Sequence, residues 1–237
     1  MAEFWTQIQE NSLFILCCIG IVALLALLAH IAERFLPAVR HISKTKRLCT
    51  IAICAAIAAV LHMLDFPLVF LAPEFYKLDF SELPVMLCGF YLGPSAAVAC
   101  EAVKILLKLL LKGTSTAFVG DFANFVVGCS LVLPAAIVYH TKKSRASAIW
   151  GLVLGTAVIT AFGSFFNAVY LLPKFSQLYD LPLDAIIAMG SKINASIHSL
   201  SSFVMLAVAP LNLIKGAMIS ILTLLLYKRV ARPLFGK

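Results

Sequence analysis

Apolar stretches long enough to cross a bilayer alternate along this chain with short polar connections. The runs Ser12–Leu36, Leu48–Phe66, Ser95–Leu111, Ala117–His140, Ala148–Leu172 and Leu200–Leu226 each approach or exceed the roughly 20 residues that a hydrocarbon core demands of a helix. A shorter apolar segment, Pro84–Leu92, ends at Gly93-Pro94, a pair that interrupts a helix. The pattern therefore predicts seven helices, one of them short. Between them, Pro67–Leu83 reads as a mixed loop. Pro173–Ser199 is too polar to span, with a short surface helix over Asp184–Gly190.

Composition agrees and excludes a soluble domain. The chain is 62% hydrophobic and 13% charged, with a mean hydropathy of +1.01, so water would have to cover far too much apolar surface. The net charge of +8 does not mark a nucleic-acid surface, because twelve of the nineteen basic residues fall in three clusters at helix ends. Arg34, Arg40, Lys44, Lys46 and Arg47 crowd the first connection. Lys142, Lys143 and Arg145 fill a central one, and Lys228, Arg229, Arg232 and Lys237 follow the last helix. Seven crossings put all three clusters on one side, which the positive-inside rule makes cytoplasmic. The N-terminus is then expected outside and the C-terminus inside. Glu3 and Glu10, with no basic residue before a long apolar run, favour an uncleaved first helix over a signal peptide. The seven cysteines lie in or beside apolar runs without metal-ligand spacing and read as small hydrophobes, so no metal site is expected.

Polar residues inside the apolar runs carry the candidate chemistry. Lys215 stands near the middle of the last run, where an ammonium costs roughly 2.5–3.5 kcal/mol unless it faces a cavity or a partner. Its surroundings, "APLNLIKG", add Asn212 and a backbone-opening Pro210. A ligand pocket and an ion pair with Glu101 or Asp121 both explain this lysine. Glu101, Lys104, Lys108 and Lys112 share one helical face, read as a buried ion-pair ladder using Glu101 and Asp121. Asn124 and Asn167 reach a similar depth, with Phe122, Phe125, Phe165, Phe166 and Tyr170 nearby, a surface suited to a flat, polar-edged heteroaromatic ligand. Each asparagine alone could equally be interhelical glue. His62 and Asp65 admit an intramembrane enzyme, but no further ligand or nucleophile stands out at their depth. A scaffold without a ligand would have no reason to bury so many polar groups.

Four strings carry a resemblance to a known family: "KLDFSELP" (Lys77–Pro84), "EAVKILLKLLLKGTSTAFVGDFANF" (Glu101–Phe125), "DAIIAMG" (Asp184–Gly190) and "APLNLIKG" (Ala209–Gly216). In this order they resemble the riboflavin-specific substrate-binding (S) components of bacterial energy-coupling factor (ECF) transporters, over about Lys46 to Lys228. The resemblance implies an all-α polytopic membrane protein with a six-helix S-component core over residues 47–237. Residues 1–46 are then an additional transmembrane helix and a basic loop. It implies no catalytic residues and no resident cofactor. Riboflavin would be the transported substrate, with FMN, an analogue or a related vitamin as the alternative. Asn124, Asn167, Asn212 and Lys215 would hold the substrate, and Leu78, Asp79 and Phe80 would cover the entrance. The implied partners are a transmembrane T component and two cytoplasmic ATPases, and the chain has no phosphate-binding loop of its own. Ala52, Ala55, Ala56 and Ala59 form small-xxx-small pairs that would dock the T component. Gly151 and Gly155 form a similar pair, read as packing within the chain.

Overall fold

The computed structural model describes residues 2–36, 42–114, 116 and 118–235; Arg40, Ser115, Ala117 and Lys237 lie outside the described residues, as do the side chains of Lys228 and Arg232. Helix α1 (Ala2–Phe35) is followed by α2 (Lys44–Met63), whose N-terminus is capped by Ser43. A two-stranded antiparallel ribbon, β1 (Phe66–Pro67) with β2 (Lys77–Leu78), closes the next connection in the register Phe66↔Leu78. Helix α3 (Glu82–Leu92) is buried on every face, which explains why so short a helix is apolar all round. Gly93 (φ 117°) turns the chain where a side chain would be strained, and Pro94 opens α4 (Pro94–Lys112). Helices α5 (Val119–Lys142) and α6 (Arg145–Phe166) form an antiparallel pair. A Cβ on Gly151 would lie 2.7 Å from the Ala135 carbonyl oxygen, so the two helices touch through glycine, as the sequence pattern predicts.

Two π-helical turns depart from the predicted regular helices, and each precedes a proline. Asn167–Leu171 carries α6 into α7 (Leu172–Leu178), with Pro173 in the first turn of α7. The helix thus runs beyond the predicted end at Leu172. Val204–Val208 joins α9 (Leu200–Phe203) to α10 (Ala209–Phe235), with Pro210 just beyond. Proline removes one donor and crowds the preceding turn, and a widened turn relieves both. Between them lies α8 (Leu183–Ser191), the predicted surface helix.

Five helical stretches among the described residues are long and apolar enough to cross a membrane: Leu16–Phe35, Lys44–Met63, Val119–Lys142, Arg145–Leu178 and Leu200–Tyr227. The predicted spans through α3 and α4 fall outside that set, one for its shortness and the other for its charges. Both nevertheless sit inside the bundle, α3 against α2, α4 and α5, and α4 against α1, α2 and α5. The fold is that of an all-α multi-pass membrane protein.

Side-chain contacts fix which helix ends are neighbours. Arg47 at the start of α2 reaches Glu33 at the end of α1 (3.0 Å), and Glu33 also accepts from the backbone N–H of Ser95 at the start of α4. Phe90 near the end of α3 stacks on Tyr139 near the end of α5, whose hydroxyl meets that of Tyr227 on α10. Every described basic cluster therefore lies at one end of the bundle. The opposite end carries the ribbon, the α4–α5 turn and α7–α9. Helix α1 packs on α4 and α5 through Ala29, which joins Val98, Ile105, Phe125 and Cys129 in a small core, while most of its remaining described surface is exposed.

Candidate functional site

The end opposite the basic clusters holds a cavity of about 410 Å³, within the range of small-molecule sites. Helix α5 contributes Asn124, the π-turn after α6 contributes Asn167, and α10 contributes Asn212 and Lys215. The structure thus brings the four residues singled out in the sequence to one cavity. Their bonding differs sharply. The Asn124 amide donates to the Gly120 carbonyl (3.1 Å), and the Asn167 amide donates to the Gly163 carbonyl (2.7 Å). The Asn167 Oδ1 also accepts from the hydroxyl of Tyr76 (2.8 Å). Asn212 is buried, yet its Nδ2 makes no hydrogen bond among the described residues. Gly163 is what makes room for that amide, since a Cβ there would lie 2.9 Å from Nδ2. A buried donor without an acceptor is costly, and a ligand acceptor would relieve it.

Lys215 does not pair with Glu101 or Asp121. Its ammonium lies 2.9 Å from Glu82 Oε1 and 3.3 Å from Asp79 Oδ2. Lys104 bonds Ser81 Oγ at 3.1 Å and pairs with Glu101 and Glu82, completing a buried network. His62 is buried at 6% exposure with Nδ1 3.4 Å from Asp79 Oδ2. Burial alone would raise the Asp79 carboxyl, but the Lys215 ammonium, the His62 ring and the Lys104 charge outweigh it and hold the group well below the usual carboxylate range. Burial pushes the Tyr76 phenol up, so it remains a donor to Asn167.

The connection from Asp65 to Ser81 is therefore a plug, not only a cover. Leu78 and Asp79 are buried, with the Asp79 carboxylate accepting from the Ser81 N–H (2.8 Å) as well as from Lys215. Of the predicted entrance residues only Asp79 lines the cavity. Leu78 turns into the protein and Phe80 packs on Phe66 and the core. The aromatic surface also differs from expectation. Phe125 lies in the core beneath α1, Phe122, Phe166 and Tyr170 cluster with one another, and Phe165 is exposed. Phe75 and Tyr76 of the plug, with Phe175 of α7 and Tyr179 just after it, face the cavity instead. The sequence signal for them was weak, because they sit in segments without helical periodicity. At the mouth, Lys108 pairs with Asp121 at 2.5 Å, and Asp65 lies between Lys77 and Lys112. The predicted ladder on α4 is present, with its outer rungs bordering the cavity.

The alanine pairs on α2 divide. Ala55 and Ala59 are buried in this chain's own core, packed towards α3 and α4, so they are unavailable for docking. Ala52 and Ala56 face outward beside the exposed Ile53, Ile57 and Val60.

A bundle of membrane helices around a plugged, amide-lined cavity defines a membrane-embedded small-molecule-binding protein. The chain belongs to the substrate-specific components of ECF transporters, whose family description matches residues 46–227. It is 38% identical over 191 residues to the riboflavin transporter RibU of Staphylococcus aureus, covering 81% of this chain and 93% of that one. It is 31% identical to the riboflavin transporter FmnP of Bacillus subtilis, covering 78% of this chain and 91% of that one. A solved structure of the S component of a bacterial ECF transporter superposes with a TM-score of 0.63 at 36% identity, covering 80% of this chain and 98% of its own. The family is one of transport components, so the intramembrane-enzyme reading falls, and α1 lies outside the matched residues.

Proposed function

We propose that this chain captures riboflavin in the cavity and delivers it to an ECF energising module. The observation that carries the reading is the amide-lined cavity with its unpaired Asn212 donor, in a chain whose relatives are named riboflavin transporters. An isoalloxazine ring is flat and carries acceptors on its edge, which suits the Asn212 amide and the rings of Phe75, Tyr76, Phe175 and Tyr179. The ribityl hydroxyls would bond Asn124, Asn167 and Lys215, with Asp79 anchoring the plug beneath Leu78 and Phe80. Because the basic clusters mark the cytoplasmic end, the cavity opens outward. The T component would meet the exposed Ala52–Ala56 strip, with two ATPases behind it. The functional core is residues 47–237, to which residues 1–46 are appended, and no resident cofactor is needed.

Titrating riboflavin against the purified, flavin-free protein tests this directly. Saturable binding to one site per chain, with quenched flavin fluorescence, is the expected result; no saturable binding would refute the assignment. FMN is the second reading, because Lys77, Lys108 and Lys112 stand at the mouth. Its phosphate would have to compete with Asp65 and Asp121, so FMN should bind more weakly than riboflavin in the same titration.

A further inference from the structure

A second crevice, of about 500 Å³, lies at the basic end between the α5–α6 turn and α10. Its floor is aromatic. Phe90 and Tyr139 stack with ring centroids 4.3 Å apart, and Tyr227 stands edge-on to both. The two phenols satisfy each other and the Phe90 carbonyl, so the floor offers ring faces rather than the spare polar atoms that a sugar or base would need. One lip carries Lys143 and Arg145, brought together where Lys143 adopts φ 45° to end α5. The flanks are Ile149, Ile221 and Leu225, which are 39%, 58% and 63% exposed and so face the hydrocarbon of a membrane.

We propose that this crevice is a binding site for an anionic phospholipid. The arrangement has the polarity of one lipid molecule: cations at the depth of the head groups, then an apolar trough leading into the bilayer. Basic pockets between membrane helices select anionic head groups. A soluble anion would gain nothing from Ile221 and Leu225, and a lipid of zero net charge, whose ammonium offsets its phosphate, gains less from Lys143 and Arg145. The site is separate from the substrate cavity and, among the described residues, shares no lining residue with it.

The test uses the full chain, delipidated in a neutral detergent and mixed with dioleoyl phosphatidylglycerol or dioleoyl phosphatidylcholine at equal mole fraction. Retained lipid is read by native mass spectrometry and stabilisation by thermal unfolding. Phosphatidylglycerol should be retained preferentially and raise the melting temperature. The Lys143→Gln/Arg145→Gln variant should retain it about fivefold or more less tightly, and the Lys44→Gln/Lys46→Gln variant should not differ from the parent. Should the first pair fail to fold, Arg145→Gln alone, an exposed side chain, carries the same comparison. Equal retention of the two lipids, or equal losses in both pairs of variants, would overturn the proposal. Retention of neither lipid would also overturn it and leave the crevice to a protein partner.

Discussion

At the scale of single residues, Lys215 and Asn212 exchange the roles that the sequence suggests. The lysine is the conspicuous residue because a charge in an apolar run needs an explanation, but its ammonium is already held by Asp79 and Glu82. Removing it leaves two buried carboxylates without that cation, and breaking such a pair costs about 3–5 kcal/mol. Lys215→Met should therefore lower the melting temperature of the substrate-free protein markedly as well as weaken flavin binding. Combining it with Asp79→Asn should recover part of that stability, because one of the stranded charges goes with it. Asn212→Ala should behave differently. It removes an unpaired donor, so the empty protein should unfold at or above the parental temperature, while riboflavin affinity falls several-fold for the loss of a hydrogen bond worth about 0.5–1.5 kcal/mol. Unchanged affinity in a folded Asn212→Ala protein would remove this residue from the site. The positions of all four polar residues were legible in the sequence, since helix spacing sets depth. The bonding of Lys215 and of the Asn167 oxygen was not, because the partners Asp79, Glu82 and Tyr76 belong to other elements of the fold.

At the scale of elements, apolar length located the helices well and the plug poorly. The buried α3 and the charged α4 needed the flanking Gly93-Pro94 to be separated, and that signal was sufficient. The π-turns were not foreseeable from periodicity, although Pro173 and Pro210 marked where the backbone would have to give. The division of α2 into an inner pair, Ala55 and Ala59, and an outer pair, Ala52 and Ala56, needed the neighbouring helices to be known. It sharpens one prediction. Ala56→Trp places bulk on the exposed strip, so uptake by cells carrying the complete transporter should fall while riboflavin binding to the isolated protein is retained. Normal uptake in that variant would move the docking face elsewhere. Helix α1 gives the complementary case. Its described residues line no part of the amide-lined cavity but supply Ala29 to a small core and Glu33 to Arg47 and Ser95. A chain starting at residue 42 should bind riboflavin with nearly parental affinity and melt at a lower temperature. A large loss of affinity in a folded truncation would give α1 a part in the site.

At the scale of the whole molecule, the question is which end of the bundle faces the cytoplasm. The contacts among Glu33, Arg47 and Ser95, and among Phe90, Tyr139 and Tyr227, bring the described basic clusters to one end and leave the cavity at the other. Charge supplies the proposed direction, because lysine and arginine in short connections are retained inside. If α1 crosses the membrane, its beginning lies on the same side as the cavity. If it does not, the remaining helices keep their orientation, because their own basic connections set it. Single cysteines placed at Glu3 and at Lys143, in a chain whose seven native cysteines have been replaced, separate these cases. An impermeant thiol reagent applied to intact cells should label the cysteine at position 3 and spare that at position 143. Labelling at position 143 would reverse the bundle and turn the cavity towards the cytoplasm, which no importer that captures its substrate from outside could tolerate. Protection at position 3 alone would remove only the crossing of α1 and leave the proposed outward-facing cavity in place.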